Sequence, residues 1–193
     1  MFARYRFLFL TSLLLMLQAC SVLPSKEEQS SALGQLQHWQ IQGKLSVRNP
    51  KDNITGYVTW EQVNDHFDMF ISGPFGRGAS RLQGDDHSAS LLLPDWSAPQ
   101  TADSPETLMQ EHLGWQFPVR DIRFWVKGQP SPASKHEATY DNYGLTQTLK
   151  QHGWEISFSR YQKYGDQWLP GLIKMKGFDY QLTLAVNQWT LHD

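Results

Sequence analysis

The chain has 193 residues, 13% of them aromatic, with 8 Trp, 7 Tyr and 10 Phe. That much aromatic surface calls for an apolar interior and excludes a disordered chain, and the length fits one domain. Lys and Arg number 17 against 19 Asp and Glu, a net charge of −2, which leaves no electrostatic footprint for nucleic acid. A single Cys excludes a disulfide framework and a Cys-rich zinc site.

Arg4 and Arg6 precede Phe7–Leu17, an unbroken run of 11 apolar and small residues. A spanning helix needs about 20, so the run suits the apolar core of a signal peptide. Leu17-Gln18-Ala19-Cys20 follows and resembles the lipobox of bacterial lipoproteins. The resemblance implies cleavage before Cys20 and lipid attachment there, as an S-diacylglycerol and an N-acyl chain, with no other cofactor. An ordinary signal peptide, or an uncleaved anchor with an incidental Cys, is the alternative reading. Cleavage removes Arg4 and Arg6 and no acid, leaving 15 basic against 19 acidic residues, a net charge of −4. Residue 21 is Ser rather than the Asp that usually retains proteobacterial lipoproteins in the inner membrane, which points to the outer membrane. The expected organisation is signal peptide 1–19, lipidated tether 20–32 and folded domain 33–193. A helix is predicted from about Lys26 to Trp39, where Leu33, Leu36 and Trp39 recur at three-residue spacing.

Period-two alternation then dominates. Trp39, Ile41, Gly43, Leu45 and Val47 form one face of a first strand, and Gly56, Val58 and Trp60 one face of a second. Phe67, Met69 and Ile71 follow beyond an Asn64-Asp65 turn. Arg77–Gln83 is a weaker strand with Leu82 inward, and Ser88–Leu93 the next. Such hairpins build an antiparallel sheet. Ser104 predicts an N-cap with Pro105 in the first turn, starting a helix that Gly114 ends. His112 falls on its apolar face. A second helix is predicted from about Val119 to Lys127. Alternation returns in Trp154, Ile156 and Phe158, in Ile173 and Met175, and in Tyr180, Leu182, Leu184 and Val186. Trp189 breaks the parity of the last strand, which predicts a bulge near Asn187.

The residues give a mainly β fold, an antiparallel sheet of roughly ten strands with two or three helices inserted midway, and a sheet this large must curl or be covered; a curved half-barrel with helices over its mouth would leave an apolar hollow. Two short helices cannot cover so many strands fully. A solid core would give the same alternation, so periodicity by itself leaves both arrangements open.

Several segments resemble the LolB family of outer-membrane lipoprotein receptors. They are Gly43–Val47 with Trp60-Glu61-Gln62, Ile71-Ser72-Gly73-Pro74-Phe75-Gly76, Leu113–Val119, Trp125-Val126-Lys127-Gly128-Gln129-Pro130, and Gly153-Trp154. Their order and spacing run from Cys20 to the last strand. The resemblance implies a curved antiparallel sheet of about 10–11 strands forming an incomplete barrel, with two or three helices covering an apolar cavity, that accepts acylated lipoproteins from the soluble periplasmic carrier LolA and places them in the outer membrane. The expected partners are therefore a LolA-like carrier, acylated clients and outer-membrane lipid, with the receptor itself a monomer. The acyl-chain cavity is expected to be lined by the inward residues Ile41, Leu45, Val58, Trp60, Phe67, Met69, Leu82, Leu91, Trp125, Trp154, Ile156, Phe158, Leu182 and Leu184. Gly73, Pro74, Phe75 and Gly76 are expected to form a membrane-insertion loop. The flanking glycines and proline place Phe75 at a turn tip, and the family carries a Leu there. Arg77 and Arg81 follow the tip.

No phosphate-binding Gly-rich loop, His-Glu-x-x-His or Gly-x-Ser-x-Gly is present, so no catalytic site is expected. Asp85-Asp86-His87 reads as a solvated turn. A scaffolding outer-membrane lipoprotein acting through protein contacts is the alternative function, and it predicts a filled core.

Overall fold

The structure, a computed structural model, describes residues 33–50, 53–73, 76, 78–132 and 134–192. The predicted signal peptide, Cys20 and the tether lie outside them. Thirteen strands are present among the described residues: β1 (His38–Arg48), β2 (Asn53–Val63), β3 (His66–Ser72), β4 (Ser80–Gly84), β5 (Ala89–Leu92), β6 (Gln100–Ala102), β7 (His136–Tyr140), β8 (Thr146–Gln151), β9 (Trp154–Ser159), β10 (Gln162–Tyr164), β11 (Gln167–Leu169), β12 (Leu172–Gly177) and β13 (Tyr180–Leu191). Eleven form one antiparallel sheet in the order β6-β5-β4-β3-β2-β1-β13-β12-β9-β8-β7, while β10 and β11 pair separately. The edges β6 and β7 do not meet, so the sheet is an unclosed barrel. Its central seam joins the first and last strands, β1 to β13.

The inserted segment between β6 and β7 carries the helices. Ser104 caps α1 (Pro105–Leu108) by accepting the Thr107 amide at 3.1 Å. The helix widens into a π-helical turn, Met109–Leu113, and ends at Gly114 with φ 67°. This widening has no sequence signature. It turns His112 out of the apolar face expected for it and sets its exposed ring edge-on to Trp96 at 4.8 Å. The second helix, α2, covers Val119–Trp125, two residues less than expected. The helix predicted up to Trp39 is corrected at its end. Residues 33–35 are helical, but Trp39 belongs to β1, where its ring meets Trp60 at 4.9 Å and Trp189 at 5.4 Å.

The bulge predicted near Asn187 is present. The β1–β13 register passes from Gln42↔Gln188 to Gly43↔Val186, leaving Asn187 without an opposite residue. Gly43 allows this crowding, since a Cβ there would lie 2.4 Å from the Ala185 carbonyl oxygen. The extra residue restores Trp189 to the inner face, where its indole donates to the Pro170 carbonyl at 3.2 Å.

Polar ties lock the inserted segment to the sheet. Gln151, buried on β8, accepts from the Trp125 indole at 2.8 Å and the Ser131 amide at 2.9 Å, and its Nε2 donates to the Ser131 carbonyl at 2.7 Å. Lys127 Nζ donates to the carbonyls of Leu33 and Leu36, each at 3.1 Å, and so pins the start of the domain. Burial, with the nearby Arg123 cation, pushes the Lys127 ammonium down to about 8.

Replacing Gln151 with Ala leaves two buried donors unpaired. The expected loss is about 2–4 kcal/mol of unfolding free energy, read by denaturant titration; a loss within experimental error contradicts the assignment of Gln151 as the keystone.

Candidate functional site: an apolar hollow under the helices

The concave face is filled unevenly. Under β7, β8, β9 and α2 it is solid. Trp125 is fully buried, and Trp154 lies between it and Phe117, with ring centroids 6.5 and 5.4 Å away. Under β1 to β5, β12 and β13 it encloses a hollow of about 210 Å³. Among the described residues its lining contains no charged side chain, and Ser80 supplies the single hydroxyl.

Nine of the expected residues line this hollow: Ile41, Leu45, Val58, Trp60, Met69, Leu82, Leu91, Leu182 and Leu184. Five do not line it. Trp125, Trp154, Ile156 and Phe158 are buried in the solid half, because α2 drives Trp125 against β8 and β9. Phe67 is buried two residues past the Asn64-Asp65 turn. The four that lie on strands have the predicted inward parity. Parity assigns a face of the sheet and not what fills the space above it.

The roof was missed as lining. Met109 and Leu113 come from the π-helical turn, Trp115 and Phe117 from the following loop, and Val119 and Ile122 from α2. Their signal was the apolar helix faces, which do not say what lies beneath. Val47, Ile71 and Met175 also line the hollow, as does Ile54 at its rim, 46% exposed.

The roof is held by surface groups. The Arg120 amide and Nε donate to the two Glu106 carboxylate oxygens at 3.0 and 3.1 Å, joining α2 to α1. Arg123 donates to Asp86 of the β4–β5 turn at 3.0 Å, and Tyr180 Oη to the Gly114 carbonyl at 3.1 Å. Half-exposed pairs contribute about 0–1 kcal/mol each; the firmer hold comes from burial, of Pro105 and Leu108 in α1 and of Trp125 in α2. Asp85 accepts the amides of His87 and Ser88, each at 2.8 Å, which makes Asp85-Asp86-His87 the expected turn. Arg81 pairs with Asp68 on the outer face.

The β1–β2 turn, the β3–β4 loop and the β12–β13 turn all lie at one end of the sheet, where Ile54 marks the rim. In the β3–β4 loop the Gly76 amide donates to the Gly73 carbonyl at 3.1 Å, closing a turn. Pro74, Phe75 and Arg77 lie outside the described residues.

The open antiparallel half-barrel with an inserted helical roof is a fold shared with solved structures at low identity. A LolA superfamily protein from Nitrosomonas europaea superposes with a TM-score of 0.57 at 10% identity, covering 88% of this chain and 94% of that one. A DUF1329 family protein from Desulfovibrio piger gives 0.56 at 8% identity, covering 84% and 88%. The family model of outer membrane lipoprotein LolB matches residues 37–189. Outer-membrane lipoprotein LolB of Pseudomonas fluorescens Pf-5 is 42% identical over 80% of this chain and 75% of its own length. That of Pseudomonas savastanoi pv. phaseolicola is 36% identical over 98% and 97%. The chain belongs to the outer membrane lipoprotein LolB family.

Filling the hollow separates its use from the stability of the fold. Leu45→Trp is expected to raise unfolding free energy by about 0.5–2 kcal/mol and to lower affinity for a fluorescent acyl probe at least about tenfold, some 1.4 kcal/mol. Unchanged probe affinity in a stabilised variant contradicts the hollow as the binding site.

Proposed function

We propose that this chain is an outer-membrane lipoprotein, anchored through lipid on Cys20 and facing the periplasm, that receives acylated lipoproteins from a LolA-like carrier and inserts them into the outer membrane. It works as a monomeric receptor and not as an enzyme. One observation carries this reading: an uncharged hollow under the inserted helices, with the exposed Ile54 at its rim. Family membership supports the same role. A scaffold acting through its outer surface has no need of such a hollow.

The physics follows from the cargo. Each buried CH₂ is worth about 0.8 kcal/mol, so an acyl chain resists every step through water. Handover must therefore run from one apolar container to the next, driven by differences in affinity. An engineered cavity of roughly 150 Å³ takes a benzene. A hollow of about 210 Å³ is thus too small for a full acyl chain until the roof moves. The π-helical turn and the loop after it, whose Leu113, Trp115 and Phe117 are only partly buried, are the elements to move, with α1 and α2 held by their buried side chains. Met69, Met109 and Met175 suit a mobile hydrocarbon, because the thioether repacks without polar demands.

Phe75 is the proposed release element. Gly73, Pro74 and Gly76 around it are turn formers, and a large aromatic exposed in such a loop is unfavourable in water and favourable in a bilayer. In a transfer assay with LolA carrying a labelled lipoprotein, the wild-type chain is expected to accept the label and pass it to vesicles. Phe75→Glu is expected to accept normally and to deliver at least about tenfold more slowly, a difference of some 1.4 kcal/mol. Normal delivery by the variant contradicts the role of Phe75, and failure of the wild-type chain to accept contradicts the receptor reading.

A further inference from the structure

We infer that the mouth of the hollow carries a membrane contact of its own, at the same end of the sheet as the β3–β4 loop, that seats phosphate headgroups of an anionic lipid surface. The contact is the groove between the β1–β2 and β12–β13 turns. It rests on the reading that the mouth delivers to a bilayer.

The groove offers about 390 Å³ of open space beside Arg48, Asn49, Pro50, Lys176 and the β12–β13 turn. Arg48 faces Gln181 on β13, and Gln181 faces Lys176 on β12. The two cations therefore flank a single strand, about 10 Å apart at their Cα atoms. Both are exposed on the outer face. Two acids are close: Glu155 lies opposite Lys176 on β9, and Asp179 lies in the turn. Neither forms an ion pair with Arg48 or Lys176 among the described residues. Lys174, one row further along the outer face, is exposed and likewise without an ion pair there. The chain is acidic overall, so cations gathered at its mouth run against its mean charge.

The second observation is the turn itself. Phe178 and Asp179 connect the paired residues Gly177 and Tyr180, with φ of 49° and 68°. Two-residue turns of this kind favour Asn and Gly, and positive φ is costly for a bulky aromatic. Phe178 nonetheless stands there, 54% exposed. Only part of its ring is used inside: it crosses Gly153, where a Cβ would sit 2.7 Å from Phe178 Cζ, and meets Trp154 at 6.0 Å. The rest of the ring is exposed and borders the same groove as Arg48 and Lys176. An exposed aromatic flanked by Lys and Arg matches the interfacial zone of a bilayer, where the ring lies among acyl ends and the cations among phosphates.

The test uses the full lipidated chain in vesicles of phosphatidylcholine with phosphatidylglycerol. An environment-sensitive fluorophore is placed on Pro50→Cys at the rim, or on Asp65→Cys at the opposite end, and quenched by a headgroup-labelled lipid. The Pro50 probe is expected to be quenched and the Asp65 probe not. Arg48→Gln and Lys176→Gln are each expected to lower the docked-to-undocked ratio of the rim, read from quenching of the Pro50 probe, about fivefold, and Phe178→Ser to lower it as well. In phosphatidylcholine alone the charge variants are expected to match the wild type. Equal quenching at both ends, or no effect of the charge variants on anionic vesicles, overturns the proposal. So does loss of quenching on adding inorganic phosphate at matched ionic strength, which marks a free-phosphate site. Acyl-probe uptake, measured on the same samples, stays unchanged in the charge variants; failure of uptake in the wild type counts against the hollow and leaves the quenching result independent.

Discussion

A curved eleven-stranded sheet presents more apolar concave surface than two short helices can cover. The inserted segment resolves that mismatch on one side only. Trp125 and α2 make close contact with β8 and β9, with Gln151 satisfying the indole and the loop amide beyond it. The other side keeps a roof without a filling. Ordinary interiors pack to the density of organic crystals. An uncharged vacancy next to an opening is therefore a departure from the default, and every functional statement about this chain depends on it.

The two halves have different mechanical characters for the same reason. Removing α2 from the solid half breaks a buried hydrogen-bond network and exposes aromatic surface. Displacing the π-helical turn and the loop after it moves Leu113, Trp115 and Phe117, which are only partly buried, while Pro105 and Leu108 keep α1 in place. A receptor that must open for hydrocarbon without unfolding needs that asymmetry, and the β3–β4 loop and the Phe178 turn lie at the end where Ile54 marks the rim.

Much of the sheet was legible because strands with one buried face write their orientation as alternation. Even the bulge at Asn187 followed from the parity of Trp189. Strands without that contrast were silent. β7 reads His-Glu-Ala-Thr-Tyr, polar on both faces at a sheet edge, and β6 has three residues, too few for a period. The site was half legible. Leu45 and Ile156 carry the same inward signature, yet one meets empty space and the other a packed core. That difference is set by which strands the inserted helices reach, a long-range fact with no local trace. The π-helical turn, which brings Met109 and Leu113 over the hollow, was hidden for a related reason: helical spacing alone does not reveal one extra residue in a turn.

The most direct measurement of the central claim is where a hydrocarbon tail sits. Methyl-labelled protein can be titrated with a spin-labelled fatty acid and followed by NMR. The account predicts paramagnetic broadening of the methyls of Leu45, Leu91 and Leu184, with those of Leu149 and Ile156 unaffected. Broadening that favours Leu149 and Ile156, or that is spread evenly over the surface, contradicts it.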